Sequence, residues 1–347
     1  MKKLFVTLIL WNTILSAAAQ QPVTGTTYYL PKTALRFSFL IEKTTYEPGQ
    51  FAVYAERYMK KDVPLTASKT YRIVNYDMQP IAVPDSSKQF TLLLDKKISI
   101  NQIDRSDEGI LLAVNAEGKR ISKPLRFQPA KHPSELNPRD YMNADILTAT
   151  STAKMAELIA QEIYDIRDSR NQLSRGQAEN MPKDGEQLKI MLRNLDTQET
   201  ALNQVFEGTT RRDTLEKVIT LIPVKGTEKT LLFRFSRKLG ITDADDLAGV
   251  PYYLIIEDQN QVPDQMAGPE ENKKAKEDFG LNVNIPDKIR VQLTCQGETL
   301  KTYEVLASQF GKTENLSADL FGKKLTSKLI LNPLTGGIES IQNEIVK

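Results

Sequence analysis

The chain has 347 residues, with 46 basic and 44 acidic side chains, one His and one Cys. At 40% hydrophobic and 26% charged it has the composition of a folded globular protein, not of a disordered one. One His and one Cys exclude a Cys/His zinc site, c-type haem attachment, cysteine-ligated clusters and any intramolecular disulfide. A formal net charge of +2 gives no basic field for nucleic acid.

Residues 1–19 have the layout of a signal peptide. Lys2 and Lys3 precede an apolar stretch from Leu4 to Leu15, and Ala17, Ala18 and Ala19 supply the small residues of a cleavage site. Cleavage near Ala19 makes Gln20 the first mature residue. It also removes two of the 46 basic residues, so that they equal the 44 acidic ones. The apolar stretch is short for a bilayer, and no later segment approaches the roughly 18 apolar residues a membrane helix needs. The sequence therefore predicts an exported protein without a membrane span, in the periplasm or on the surface of a Gram-negative bacterium.

Residues 20–130 are expected to form a β-rich domain. Leu35, Phe37, Phe39 and Ile41 recur every second residue, with Arg36, Ser38 and Glu42 on the opposite face. Glu47-Pro48-Gly49 closes a turn, and Phe51–Met59 has the composition of a short helix. Further strands are predicted at 71–76, 90–94 and 109–114. Residues 131–143 are rich in Pro and predict a linker, which carries the only histidine, His132.

The period then changes. Met155, Ile159, Ile163 and Ile166, and later Leu188, Met191, Leu192, Leu195, Leu202 and Phe206, recur at three- and four-residue spacings. Residues 144–208 thus predict an antiparallel helical hairpin, with Asp184 capping the second helix and Gly208 stopping it. Arg167, Arg170, Asp196 and Glu199 fall on the polar faces and suit solvent.

Strand patterns return over 209–347. Leu231, Phe233 and Phe235 share one face, 252–257 is a continuous apolar strand, and Leu281, Val283 and Ile285 alternate with Asn282 and Asn284. Ile289, Val291, Leu293 and Cys295 continue one stripe, so Cys295 reads as a buried small hydrophobe rather than a nucleophile. A polar loop is predicted near 260–278, and a hairpin loop at 332–337. The expected fold class is α+β, mainly β: two β-rich, sandwich-like domains with the helical hairpin between them.

Several short motifs together resemble a known family. They are Tyr29-Leu-Pro-Lys-Thr33, Pro48-Gly49, Tyr54-Ala-Glu-Arg-Tyr58, Ile163-Tyr-Asp-Ile-Arg-Asp-Ser-Arg170, Pro182-Lys-Asp-Gly185, Phe233-Arg-Phe-Ser236 and Asp243-Ala-Asp-Asp-Leu247. In these the chain resembles a family of exported proteins of the Bacteroides group known as a domain of unknown function. The resemblance spans nearly the whole mature chain and implies export and architecture, but no activity.

Chemistry is left to carboxylates. Asp243, Asp245 and Asp246 have the density to hold a hard cation such as Ca²⁺. The same residues also make a helix start, with Thr242 as N-cap and Asp245 in a capping-box position, and the cap is preferred. Asp104-Arg-Ser-Asp-Glu-Gly109 has the oxygens of the first half of an EF-hand loop, but its twelfth position is Asn115, so a hairpin turn is expected. No catalytic residue and no cofactor is assigned. The favoured function is an envelope binding or scaffold protein without catalysis, its partner an envelope protein or a glycan. The alternatives are a carboxylate-dependent glycan hydrolase and a non-catalytic carbohydrate-binding module.

Overall fold

The alternation at Leu35, Phe37, Phe39 and Ile41 is that of a strand with one face sealed, and all four side chains are buried. In the computed structural model, which describes residues 25–93, 98–122, 124, 127–129, 135–262, 281–322 and 325–345, they lie in β1 (Gly25–Glu47). This strand turns back through a short helical segment, a 3-10 turn at Ala52–Tyr54 and α1 (Ala55–Met59), into β2 (Ser68–Leu93). The two strands form one long antiparallel ribbon. The sequence predicts separate strands at 71–76 and 90–94, with Pro80 and Pro84 lying between them. They belong to a single strand, since β2 is the edge of its sheet and an edge tolerates residues without an N–H.

Two short strands, β3 (Ile103–Arg105) and β4 (Leu111–Val114), make the expected hairpin around Gly109. The helices follow: α2 (Ala144–Leu147), α3 (Thr152–Arg175) and α4 (Gly185–Glu207). The remaining strands are β5 (Thr209–Leu221), β6 (Lys229–Ser236), β7 (Gly240–Thr242), β8 (Val250–Asp258), β9 (Asn282–Cys295), β10 (Glu298–Asn315), β11 (Leu325–Leu331) and β12 (Ile338–Ile345). They build three antiparallel sheets, in the orders β2-β1-β5, β10-β9-β8-β6-β7 and β12-β11-β4-β3. The fold is α+β and mainly β.

The two strand-rich blocks do not close separate cores. β1 pairs with β5, and β4 with β11, so each of those sheets draws on both ends of the chain. Phe37 and Phe39 of β1 pack with Phe233, Leu254, Ile289 and Val291 of the five-stranded sheet. Tyr28 and Leu30, from the first part of the same strand, pack instead with Leu111, Val283, Phe321 and Leu329. Burial of apolar surface drives both, and each core takes side chains from both blocks.

A third core belongs to the helices. Ile159, Ala160 and Ile163 of α3 meet Leu202, Val205 and Phe206 of α4, as the spacing predicts. The caps are also those expected: the Asp184 carboxylate accepts from the Glu186 N–H at 3.1 Å, and α4 ends at Gly208. The seam is completed from outside the hairpin, by Phe51, Ala55 and Met59 of the β1–β2 connection. Tyr141 and Met142, from the predicted linker, also pack there. Arg167 and Arg170 do not simply face solvent, because both reach across to Glu199 of α4, at 2.6 and 2.8 Å. The far half of α4 is less covered, with Ile190 56% and Met191 40% exposed.

The helices join the ribbon at one tight crossing. Gly208 has φ +75°, and a Cβ there would strike the Glu47 carbonyl. The Phe51 N–H donates to the Val205 carbonyl at 2.7 Å, fixing the turn against the last turn of α4. Truncating Phe51, which is fully buried, removes the plug between α1 and α4. Phe51→Ala should cost about 3–5 kcal/mol, read as early loss of helical circular dichroism on heating. A helical melt unchanged from wild type would show that the hairpin closes its own core.

A small set of buried polar residues sits where the sheets meet, Asn284 among them. Asn284 is 1% exposed; its amide donates to the carbonyls of Pro31 (3.0 Å) and Thr335 (2.9 Å), and its Oδ1 accepts from Lys88 Nζ at 3.0 Å. Burial draws the Lys88 ammonium below its usual pKa range. Replacing Asn284 by Leu would take the amide donor from the Pro31 carbonyl and the acceptor from Lys88, while the Thr335 carbonyl keeps the Ser308 hydroxyl at 2.8 Å. A loss of about 2–4 kcal/mol is expected in urea titration; a loss under about 0.5 kcal/mol would mean that other donors take over.

Candidate functional site

A concavity of about 500 Å³ lies between the later half of the ribbon and the five-stranded sheet. β1 and β2 contribute Glu42, Thr44, Tyr71 and Arg72; β6, β8 and β9 contribute Phe235, Tyr252 and Cys295. Arg237 and Gln296 enter from the turns that follow β6 and β9. Tyr71 is fixed in place by its N–H, which donates to the Arg237 carbonyl at 2.8 Å.

Its aromatic wall is rigid. Tyr252 stacks on Phe233 with ring centres 4.7 Å apart and planes within 14°, and Phe235 meets it edge-on at 6.4 Å. Burial and the neighbouring Cys295 push the Tyr252 hydroxyl up to about 12, so it stays protonated. Burial likewise raises the Cys295 thiol, against a weaker lowering by its hydrogen bond with Tyr252. The sulfur stands at the half-buried end of the predicted apolar stripe. A raised thiol is a poor nucleophile at neutral pH.

The cleft's carboxylate is already engaged. Arg72 Nε and Nη2 donate to the two oxygens of Glu42 at 2.8 and 3.1 Å, a forked pair between facing residues of β1 and β2. The hydrogen bond to Arg72 holds Glu42 below the usual carboxylate range, helped by the charges of Arg72 and Arg212. A general acid for glycoside hydrolysis needs the opposite shift.

A second pocket, about 380 Å³, lies against the face of the three-stranded sheet that carries Arg36 and Ser38, and contains two carboxylates, Asp77 and Glu216. Both are occupied. Lys301 Nζ lies 2.9 Å from Asp77, and Glu216 accepts from the Ser38 hydroxyl at 2.5 Å and the Phe127 N–H at 3.3 Å. The Ser38 bond leads in holding Glu216 below its ordinary pKa, with Phe127 and the Arg36 charge adding to it. A carboxyl whose folded pKa is lowered stabilises the fold above its unfolded pKa, and that contribution is lost as pH falls through the folded value. Stability should therefore decline on acidification, from the ordinary glutamate range downward, more steeply in wild type than in Glu216→Gln. Identical slopes for the two proteins in denaturation midpoints against pH would contradict it.

The Asp cluster takes a different form from the one expected. β7 ends at Thr242, and 243–249 is a loop rather than a helix start. Asp246 accepts from the Ala248 N–H at 2.9 Å, and Arg234 pins the loop through the carbonyls of Ala244 (2.8 Å) and Gly249 (3.2 Å). Arg234 thus holds the backbone away from the helix that capping by Thr242 would begin. Among the described residues no group of three His, Cys, Asp or Glu side chains is placed to hold a metal ion, and Asp243, Asp245 and Asp246 do not form one. Asp104 bonds Arg120 and the Gly118 N–H, at 2.8 Å each, beside the expected hairpin turn. His132 and the predicted signal peptide lie outside the described residues.

Fold and cleft together describe a mainly β protein with a helical hairpin and one aromatic-walled cleft. The chain belongs to the family described as "Domain of unknown function (DUF4831)", which it matches over residues 24–339. No curated protein and no solved structure matches it. Among the described residues no helix is long and apolar enough to cross a membrane.

Proposed function

We propose that this is an exported binding protein of the cell envelope of a Gram-negative bacterium of the Bacteroides group, without catalysis of its own. The signal-like pattern of residues 1–19 and the family resemblance support export. The open cleft supports binding: it offers a fixed aromatic wall beside polar side chains, the usual make-up of a recognition site. Its chemistry argues against turnover, since Arg72 holds Glu42 ionised and burial keeps the Cys295 thiol protonated. Of the two partner classes, a glycan fits better than an envelope protein. Sugar rings stack on aromatic faces, while Thr, Gln and Arg side chains meet their hydroxyls.

A glycan array probed with the mature protein tests this, with mass spectrometry of the incubated glycans. Retention without released fragments is expected, with affinity reduced roughly tenfold, about 1.4 kcal/mol, in Tyr252→Ala. Fragment release would establish a hydrolase instead. Retention unaltered in Tyr252→Ala would move the binding surface away from the cleft.

A further inference from the structure

We propose that the cleft is specific for a saccharide bearing a carboxylate, a sugar of the uronic-acid kind, with Arg237 reading the carboxylate. This rests on the cleft being a binding site and adds the class of its ligand. Three features of the site carry it.

The first is charge. Glu42 and Arg72 neutralise each other through the forked pair, which leaves their hydrogen-bonding edges polar without net charge. Arg237 is different. It lines the same cleft and is exposed, and among the described residues its guanidinium forms no ion pair. Among the described residues the cleft therefore carries one positive charge without a partner, in the side chain whose planar fork matches a carboxylate.

The second is the surface beside that charge. The rings of Tyr71, Phe235 and Tyr252 line the cleft together with Arg237. Aromatic faces take the C–H face of a pyranose, and a guanidinium lining the same cleft can read a carboxylate at the sugar's edge. A free inorganic anion would gain nothing from the rings. A purely apolar ligand would leave Thr44, Thr70 and Gln296 without hydrogen-bond partners on its side.

The third feature disfavours an acidic peptide. Peptides that add to a sheet edge draw on unpaired main-chain groups. At this cleft the Tyr71 N–H of edge strand β2 is already given to the Arg237 carbonyl. That contact takes up a main-chain donor which an added strand would need, and the side chains of the cleft suit a saccharide.

The test uses the full mature chain and three probes: a uronic-acid trisaccharide, a neutral trisaccharide of the same linkage, and an acidic tripeptide. Calorimetric titration of wild type should show the acidic sugar bound at least roughly tenfold more tightly than the neutral one, and more weakly as salt rises. Arg237→Ala should remove that preference, and Arg237→Lys should restore it only in part, because an ammonium keeps the charge without the fork. Arg237 is exposed and its contact with Tyr71 is through the main chain, so neither variant disturbs the fold; circular dichroism checks this. Equal affinity for both sugars, unchanged in Arg237→Ala, would overturn the carboxylate specificity while leaving the cleft as a binding site. Tripeptide bound as tightly as the acidic sugar would overturn the saccharide class. Absence of binding to all three probes would overturn the specificity, and the array would then decide whether the cleft binds anything else.

Discussion

One strand takes part in two of the three cores and leads directly into the third, and the rest of the fold depends on its continuity. β1 sends Tyr28 and Leu30 into the core under β4 and β11, then Leu35 to Ile41 into the core against the five-stranded sheet. Its exit turn delivers Phe51 to the helices. A strand can do this only if its faces are reassigned along the way. The reassignment comes where Pro31 faces Pro84 and four residues of β2, Asp85 to Lys88, have no partner on β1. Two prolines cannot bond each other's carbonyls, so the ladder opens there. Asn284 fills the opening by bonding the Pro31 carbonyl, which β2 leaves unpaired. A polar residue in the middle of a buried strand is the consequence of that gap.

Local order was legible in the sequence. The alternation of Leu35 to Ile41 and the caps at Asp184 and Gly208 each depend on residues within a turn or two, and the structure contains them where the pattern puts them. Pairing over long separations was not. Nothing in the pattern of Thr209–Leu221 says that its partner is β1, about 170 residues earlier in the chain. Asn284 alternates with Val283 and so reads as the wet side of a strand, yet both are buried because β9 is covered on both faces there. The aspartates at 243–246 read as a helix start because their contest with Arg234 is tertiary. Local propensity loses when a guanidinium takes two loop carbonyls.

The cleft was hidden for the same reason. Glu42 reads as a solvated residue on the polar face of β1, and it becomes part of a site only through Arg72, its cross-strand neighbour. Cys295 reads correctly as the continuation of an apolar stripe, but the stripe ends at the cleft wall. Tyr252 gave no motif at all. Its role comes from stacking on Phe233 of the adjacent strand, which only the register supplies.

A second irregularity in the ribbon explains why the cleft is where it is. Leu40 faces Asn75 and Ile41 faces Ile73, so Val74 is an extra residue on β2, and it is 44% exposed. A bulge of this kind bends its strand and increases the local twist. The residues that follow it toward the ribbon's end are Ile73, Arg72 and Tyr71, all of which line the cleft. Were Val74 instead paired in register with Ile41, Ile73 would face Glu42 and Arg72 would face Lys43, on the other side of the ribbon. Arg72 could then no longer clamp Glu42. The bulge therefore sets the site's electrostatics as well as its shape: it brings a guanidinium onto Glu42 and leaves Arg237 as the charge available to a ligand.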